Sequence, residues 1–311
     1  MSLIEKAVQR LDQLKQASGE SAAEQPPVRA DADVEIRSTQ DAQSSAVPRV
    51  QVQDHNPVRS RQIDIDLARL AMSGAVTPDQ PRSTIAEEYR VIKRPLLRNA
   101  TATGAAAIRN GNLIMVTSSL PGEGKTFSAI NLAMSMAMEL DFTVLLVDAD
   151  VSKPSVLNQL GLKKERGLMD VLSGEVSDLS EVLLRTNVEK LSILPAGMPH
   201  VRATELLASE SMARLLEQMA SRYHDRIIIF DSPPLLVTTE ARVLATRMGQ
   251  VVMVVEAERT THATVRQALG TIEVCPIKLL MLNKSRQQAV GSYYGYGYGY
   301  GYGHKTHSEA A

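Results

Sequence analysis

The chain of 311 residues holds a single cysteine, Cys275. One thiol cannot build a disulfide framework within the chain, nor a Cys-based zinc or iron–sulfur centre. Such sparing use of cysteine suits a reducing cytosol. Neither sign of charge is in excess, with 34 Lys and Arg against 35 Asp and Glu. The basic face of a nucleic-acid binder is not expected, and no nucleic-acid partner is predicted. No apolar run approaches the ~20 residues that span a bilayer. The first 14 residues lack the uncharged apolar stretch of a signal peptide. These absences predict a soluble cytoplasmic protein. Aromatic residues are scarce and unevenly placed: no Phe or Tyr precedes Tyr89, while six of the eight tyrosines fall between positions 293 and 302.

Hydrophobic residues make up 44% of the sequence, enough for a sizeable core. Ser2 and Glu5 form a capping-box pattern, and Ile4, Val8 and Leu11 follow at helical spacing, so residues 1–16 are predicted as an amphipathic helix. Residues 17–60 are rich in Ala, Gln, Ser, Asp and Pro and read as a disordered linker. Ile63, Leu67 and Leu70 predict a short helix ended near Gly74 and Pro78, within a helical arm over 61–82. From Ser83 the texture changes. Strand-like runs at 113–117, 143–147, 191–194, 226–230, 251–255 and 278–282 alternate with helical patterns such as 127–140, 204–223 and 260–272. Continuous apolar strands separated by helices predict a doubly wound, mostly parallel α/β sheet over 83–290. Residues 291–311 form a Gly/Tyr tail whose alternate glycines keep it flexible.

Ser119-Leu120-Pro121-Gly122-Glu123-Gly124-Lys125-Thr126 follows the first of these strands and opens a helix. It fits the P-loop template except that Ser119 replaces the first glycine. Gly122 and Gly124 let backbone N–H groups turn toward an anion, and the helix N-terminus adds a positive dipole end. Lys125 can reach the β- and γ-phosphates, and the Thr126 hydroxyl can ligate Mg²⁺. An ordinary Gly-containing strand–helix turn is the alternative. Two further strands end in Asp148-Ala149-Asp150 and in Asp231-Ser232-Pro233-Pro234. Carboxyl ends of parallel strands face the ligand crevice, and three carboxylates beside a triphosphate call for a cation, for which Mg²⁺ is suited. Asn283, at the end of the last strand, is a candidate to read a purine edge or a simple turn residue. Leu282-Asn283-Lys284-Ser285-Arg286 lacks the Asp that pairs with guanine, so the base is predicted to be adenine.

Taken together these motifs resemble the bacterial protein-tyrosine kinases of the P-loop type, the BY-kinases. The family's Walker A pattern is met by Ser118 to Thr126, its second acidic motif by Asp148 and Asp150, and its Walker B by Asp231 to Pro234. Its terminal tyrosine cluster is met by Tyr293, Tyr294, Tyr296, Tyr298, Tyr300 and Tyr302. Leu194-Pro195-Ala196-Gly197 and Glu205-Leu206-Leu207 also resemble family sequence, and the likeness runs over 83–302. Residues 1–14 and 89–97 are similar to autokinases found with exopolysaccharide export systems. Two departures stand out. Lys153 replaces an arginine after Asp-x-Asp, and in the family's self-association pattern Glu87 and Arg90 match while Lys93 takes the third place.

The resemblance implies an ATP- and Mg²⁺-dependent autokinase acting on its own tail between subunits and regulating capsular or exopolysaccharide synthesis and export. Residues 121–127, Pro121 to Phe127, together with Asn283, would bind nucleotide. Thr126, Asp148, Asp150 and Asp231 would hold the metal, and Lys125 would hold the phosphates. Asp148 is the better candidate for proton acceptor, although the sequence does not separate it from Asp150. Glu87, Arg90 and Lys93 would support a homo-oligomeric ring, which loading of the tail would open and an opposing tyrosine phosphatase restore. A membrane polysaccharide copolymerase, or chain-length adaptor, would recruit the protein to the inner membrane. Two other classes compete. A partitioning-type P-loop ATPase would carry an extra lysine early in the loop, where Ser118, Ser119 and Leu120 stand, and a non-catalytic scaffold would use the Gly/Tyr tail only as an adhesive segment.

Overall fold

The computed structural model describes residues 60–222 and 225–285. The expected terminal helix, all but the last residue of the linker and the tyrosine cluster lie outside these residues. Eight strands form one sheet in the order β1-β4-β5-β3-β6-β2-β7-β8. They are β1 (Arg61–Ile63), β2 (Leu113–Ser118), β3 (Thr143–Asp148), β4 (Leu184–Thr186), β5 (Leu191–Leu194), β6 (Arg226–Asp231), β7 (Gln250–Glu256) and β8 (Ile277–Asn283). All neighbouring pairs are parallel except β4 with β5.

The central strands are runs of apolar residues ending in polar ones because both of their faces are covered. Ile114, Val116, Val144, Leu146, Ile227 and Ile229 point into one core, packed by α1 (Leu67–Met72), α2 (Thr84–Ala100), α3 (Lys125–Ala137) and α4 (Val156–Gln159). The alternate residues Leu113, Met115, Leu145, Val147, Ile228 and Phe230 point into a second core. That core is closed by α5 (Leu168–Leu172), α6 (Ala203–Ala208), α7 (Glu210–Arg222), α8 (Thr239–Ala245) and α9 (His262–Gly270). Met134 and Met136 are fully buried in the first core and Cys275 is buried in the second, as expected of structural residues.

Two sequence expectations are corrected. The short helix expected to end near Gly74 is present as Leu67–Met72, but the rest of 61–82 is not a helical arm: it begins with β1, which pairs with β4. Ile65, Leu70 and Val76 are buried in the first core, so this segment is part of the domain. The long helix expected over 204–223 is two helices. Ser209 has extended backbone (φ −70°, ψ 162°), and its hydroxyl accepts the Met212 N–H at 3.2 Å, so the residue stops one helix and caps the next.

Candidate active site

Sheet register gathers the acidic strand ends. Asp148 and Asp231 are direct neighbours across β3 and β6, and Asp231 lies opposite Val116, two residues before the end of β2. The P-loop leaves β2 at that end and enters α3. Gly124 caps this helix with φ +98°, a left-handed conformation that favours glycine. A side chain there is barred twice, since a Cβ would sit 2.1 Å from Asn283 Nδ2.

Each loop residue has a definite position. The Glu123 carboxylate is buried, accepts the Leu120 N–H at 2.7 Å and takes a hydrogen bond from the Thr260 hydroxyl. That side chain pins the loop from inside, so any contact of Glu123 with phosphate would come through its backbone. Asn283 donates from Nδ2 to the Glu123 carbonyl at 2.8 Å, and Lys284 donates to the Gly122 carbonyl at 2.6 Å. The end of β8 therefore clasps the loop. Pro121 is exposed, and Phe127 packs against the first core.

Lys125 Nζ lies 2.7 Å from Asp150 Oδ2 and 3.8 Å from Asp231 Oδ1. Burial pulls its ammonium down, but Asp231, Asp150 and Asp148 outweigh that and hold its pKa above the ordinary value. Asp148 accepts the N–H groups of Ser155 and Val156, both at 3.0 Å, through one oxygen. Burial nevertheless raises its pKa to about 6. Asp231 is fully buried, and neither of its oxygens has a hydrogen-bond partner among the described residues. Burial pushes its pKa up to about 7, against the attraction of Lys125. Three carboxylates around one ammonium make a site that favours an added cation. Among the described residues no three His, Cys, Asp or Glu side chains are arranged to hold a metal by themselves. Such a site fits Mg²⁺, which keeps waters and binds through one or two carboxylates together with phosphate oxygens.

Ser155 is a site residue that motif reading missed. Its hydroxyl lies 2.8 Å from the Thr126 hydroxyl and its N–H holds Asp148. Its signal in the sequence is only that of a serine before a short helix. Lys153, expected as the stand-in for an arginine, is exposed and contacts Asp150 through its backbone N–H at 3.1 Å.

The self-association residues separate. Glu87 is exposed and Arg90 half-buried; they pair with each other, and Arg90 also donates to the Pro81 carbonyl at 2.9 Å. Lys93 is 3% exposed; it donates to the Ser135 carbonyl at 2.6 Å and pairs with Glu139 at 2.7 Å. It faces α3 of its own chain and cannot serve a surface contact; Arg94, the next cation, is 61% exposed.

Fold and site together define an α/β nucleotide-binding protein of the P-loop class. The sequence model of a family described as "AAA domain" matches residues 111–284. Tyrosine-protein kinase YwqD of Bacillus subtilis is 31% identical over 220 residues, covering 70% of this chain and 89% of its own. The succinoglycan biosynthesis transport protein ExoP of Rhizobium meliloti is 33% identical over 223 residues, of which the match takes up 70% of this chain but 27% of ExoP. Among solved structures, the kinase domain of the Escherichia coli tyrosine kinase ETK superposes with a TM-score of 0.57 at 26% identity, covering 71% of this chain and 83% of that one. The chain belongs to the bacterial tyrosine-protein kinases and is an enzyme of that family. No helix among the described residues is long and apolar enough to cross a membrane.

Proposed function

We propose that this kinase transfers the γ-phosphoryl group of ATP to tyrosines of its own C-terminal cluster, Tyr293, Tyr294, Tyr296, Tyr298, Tyr300 and Tyr302, and that the transfer runs between subunits. The observation that carries the reading is the cluster of Asp148, Asp150 and fully buried Asp231 around the single ammonium of Lys125 at the mouth of a P-loop. Buried carboxylates in excess of their cations are costly unless a further cation completes them. Thr126, Asp148, Asp150 and Asp231 would hold Mg²⁺, directly or through waters. When bound, Mg²⁺ neutralises charge on the transferring phosphoryl group.

The chain's own residues do the rest. Loop amides between Gly122 and Thr126 cradle the phosphates, and Lys125 exchanges Asp150 for a phosphate oxygen. Asp148, held in place by the N–H groups of Ser155 and Val156, accepts the phenolic proton. Phosphoryl transfer needs mainly positioning and charge neutralisation, so a carboxylate base is adequate.

The likeness to ExoP, a succinoglycan biosynthesis transport protein, supports a place for this chain in exopolysaccharide synthesis and export. A membrane polysaccharide copolymerase or chain-length adaptor would recruit it to the inner membrane, and a tyrosine phosphatase would reset the tail. Self-association into a ring would use Glu87 and Arg90, which pair with each other on the outer face of their helix. The test mixes a Lys125→Met chain with an active chain truncated after Gly291. Phosphotyrosine on the full-length Lys125→Met chain is the expected result; labelling of neither chain would overturn transfer between subunits.

A further inference from the structure

A phosphate loop works through its backbone N–H groups, and this one has the freedom to turn them away. Gly122 and Gly124 flank Glu123 with φ of +90° and +98°, and at Gly122 no other part of the protein comes within 4 Å of an added Cβ. A peptide unit beside such a glycine can flip at little cost, so its direction has to be fixed from outside. A trans peptide carries its N–H opposite the preceding C=O. Whatever holds the carbonyls of Gly122 and Glu123 therefore also aims the N–H groups of Glu123 and Gly124. Neither of these N–H groups has a hydrogen-bond partner among the described residues. Both carbonyls are held by the end of β8: Lys284 Nζ donates to that of Gly122 at 2.6 Å, and Asn283 Nδ2 to that of Glu123 at 2.8 Å.

The charge that steers Lys284 comes from the neighbouring strand. Glu256 is the last residue of β7 and lies opposite Asn283 in the register. Its largely buried carboxylate sets one oxygen 3.1 Å from Lys284 Nζ and the other 3.3 Å from Arg259. Its carbonyl accepts the Thr260 N–H at 3.1 Å, and the Thr260 hydroxyl in turn bonds the Glu123 carboxylate. Lys284 stands at φ +59°, a left-handed conformation that is costly for a residue with a Cβ. A lysine ammonium has donors for both anchors, so it crosslinks the Glu256 carboxylate to the Gly122 carbonyl. The ends of β7 and β8 thus hold the loop at two successive carbonyls and at the side chain between them.

We propose that Glu256 and Lys284 are positioning residues of the nucleotide site: Glu256 holds Lys284, and Lys284 with Asn283 fixes the two peptide units so that the N–H groups of Glu123 and Gly124 face the phosphates. Neither Glu256 nor Lys284 touches the nucleotide in this role; both act through the loop. The proposal rests on the P-loop nucleotide reading above and is independent of which group accepts the phosphoryl. It makes the β7–β8 edge, which lies outside the three Walker motifs, part of phosphate recognition.

The test is equilibrium titration of the full-length chain with fluorescent Mg·ATP and Mg·ADP, in about 0.5 M salt so that distant charge is screened. Lys284→Met keeps the aliphatic stem and removes the donor. It should weaken both nucleotides by the same factor, about fivefold to tenfold, because loop amides hold phosphates common to the two. Lys284→Arg meets the same backbone conformation, keeps a donor for each anchor and should stay within about twofold of wild type. Glu256→Ala should weaken both nucleotides by about threefold. Added to Lys284→Met it should cost less than about twofold more, since it acts through that side chain. Unaltered affinities for Lys284→Met overturn the proposal, as does Lys284→Arg as impaired as Lys284→Met. A loss for ATP far beyond that for ADP also overturns it, making Lys284 a direct ligand of the γ-phosphate. Tighter binding by Glu256→Ala overturns the role of Glu256, whose carboxylate would then hold Lys284 back from the nucleotide. A wild-type chain that binds neither nucleotide overturns the P-loop reading itself, and this proposal with it.

Discussion

Among the described residues, Lys93 and Lys125 are both largely buried, and each has a carboxylate oxygen at 2.7 Å. At the seam between α2 and α3, Lys93 meets one carboxylate, Glu139, and one carbonyl, that of Ser135. Burial wins there, and its pKa falls below the ordinary value. At the strand ends Lys125 meets Asp150, Asp231 and Asp148, which together overcome burial and raise its pKa. The seam is a finished contact in which the groups satisfy one another. The strand-end cluster has more anionic than cationic groups and leaves Asp231 without a hydrogen bond. Burial alone does not distinguish a structural lysine from a functional one; the balance of partners does.

The sharpest way to break that comparison is to remove each ammonium in turn. Lys125→Met should lower tyrosine phosphorylation by about 10²–10³-fold, the usual loss when one preorganised donor is removed from a transferring group. Its nucleotide affinity should fall as well, and with it the stability that Mg·ATP confers. Lys93→Met should lower the stability of the fold instead. It keeps the aliphatic stem but leaves the Ser135 carbonyl without its donor, at a cost of about 1–3 kcal/mol. The larger penalty of a fully buried survivor does not apply, because Glu139 is 23% exposed and Arg94 lies 3.8 Å from it. Urea unfolding together with nucleotide affinity separates the two. An unaltered midpoint for Lys93→Met would show that the seam is not the finished contact described.

The two regions were also unequally legible in the sequence. The P-loop and both acidic ends could be read because each strand is a run of buried residues that stops at its motif, as Ile227, Ile228, Ile229 and Phe230 stop at Asp231. The register that sets Asp148 beside Asp231 could not, since it depends on β6 lying between β3 and β2. Lys93 was misread for a geometric reason. Residues three apart drift by about 60° around a helix of 3.6 residues per turn, so the third member of Glu87, Arg90 and Lys93 has turned roughly 120° from the first. That rotation carries it from the exposed face to α3. Strand β1 escaped because Ile63, Leu67 and Leu70 mimic a helical stripe, although the first belongs to a strand and the others to a helix.

Proton uptake sharpens the comparison without mutation. In the folded, nucleotide-free protein Asp231 and Asp148 titrate near 7 and 6, against an ordinary 3.8. Between about pH 4 and 7 the folded state therefore binds more protons than the unfolded one, and stability falls as pH rises through that window. Thermal unfolding in EDTA should give a higher midpoint near about pH 5.5 than near pH 8. Mg·ATP should flatten the profile by supplying the missing cation. A profile that rises toward pH 8 in EDTA would mean that the carboxylates are already compensated within the chain.

The smallest effect is expected where β8 clasps the loop. Asn283 gives one hydrogen bond, 2.8 Å from Nδ2 to the Glu123 carbonyl, and presses its amide against Gly124. One such bond is worth about 0.5–1.5 kcal/mol net, which is a few-fold to about tenfold in affinity. Asn283→Ala should weaken nucleotide binding by that much. Asn283→Asp should weaken it further, since a carboxylate oxygen then faces both a carbonyl and the incoming phosphates. The clasp and the reading of a purine edge give different patterns. If Asn283 acts through the loop, ATP and GTP lose affinity by the same factor, because the loop holds phosphates common to both. If it reads the base, Asn283→Ala changes the ratio of the two affinities. Equilibrium titration of both nucleotides against wild type and the two variants decides between them. The bond to Glu123 leads us to expect parallel losses.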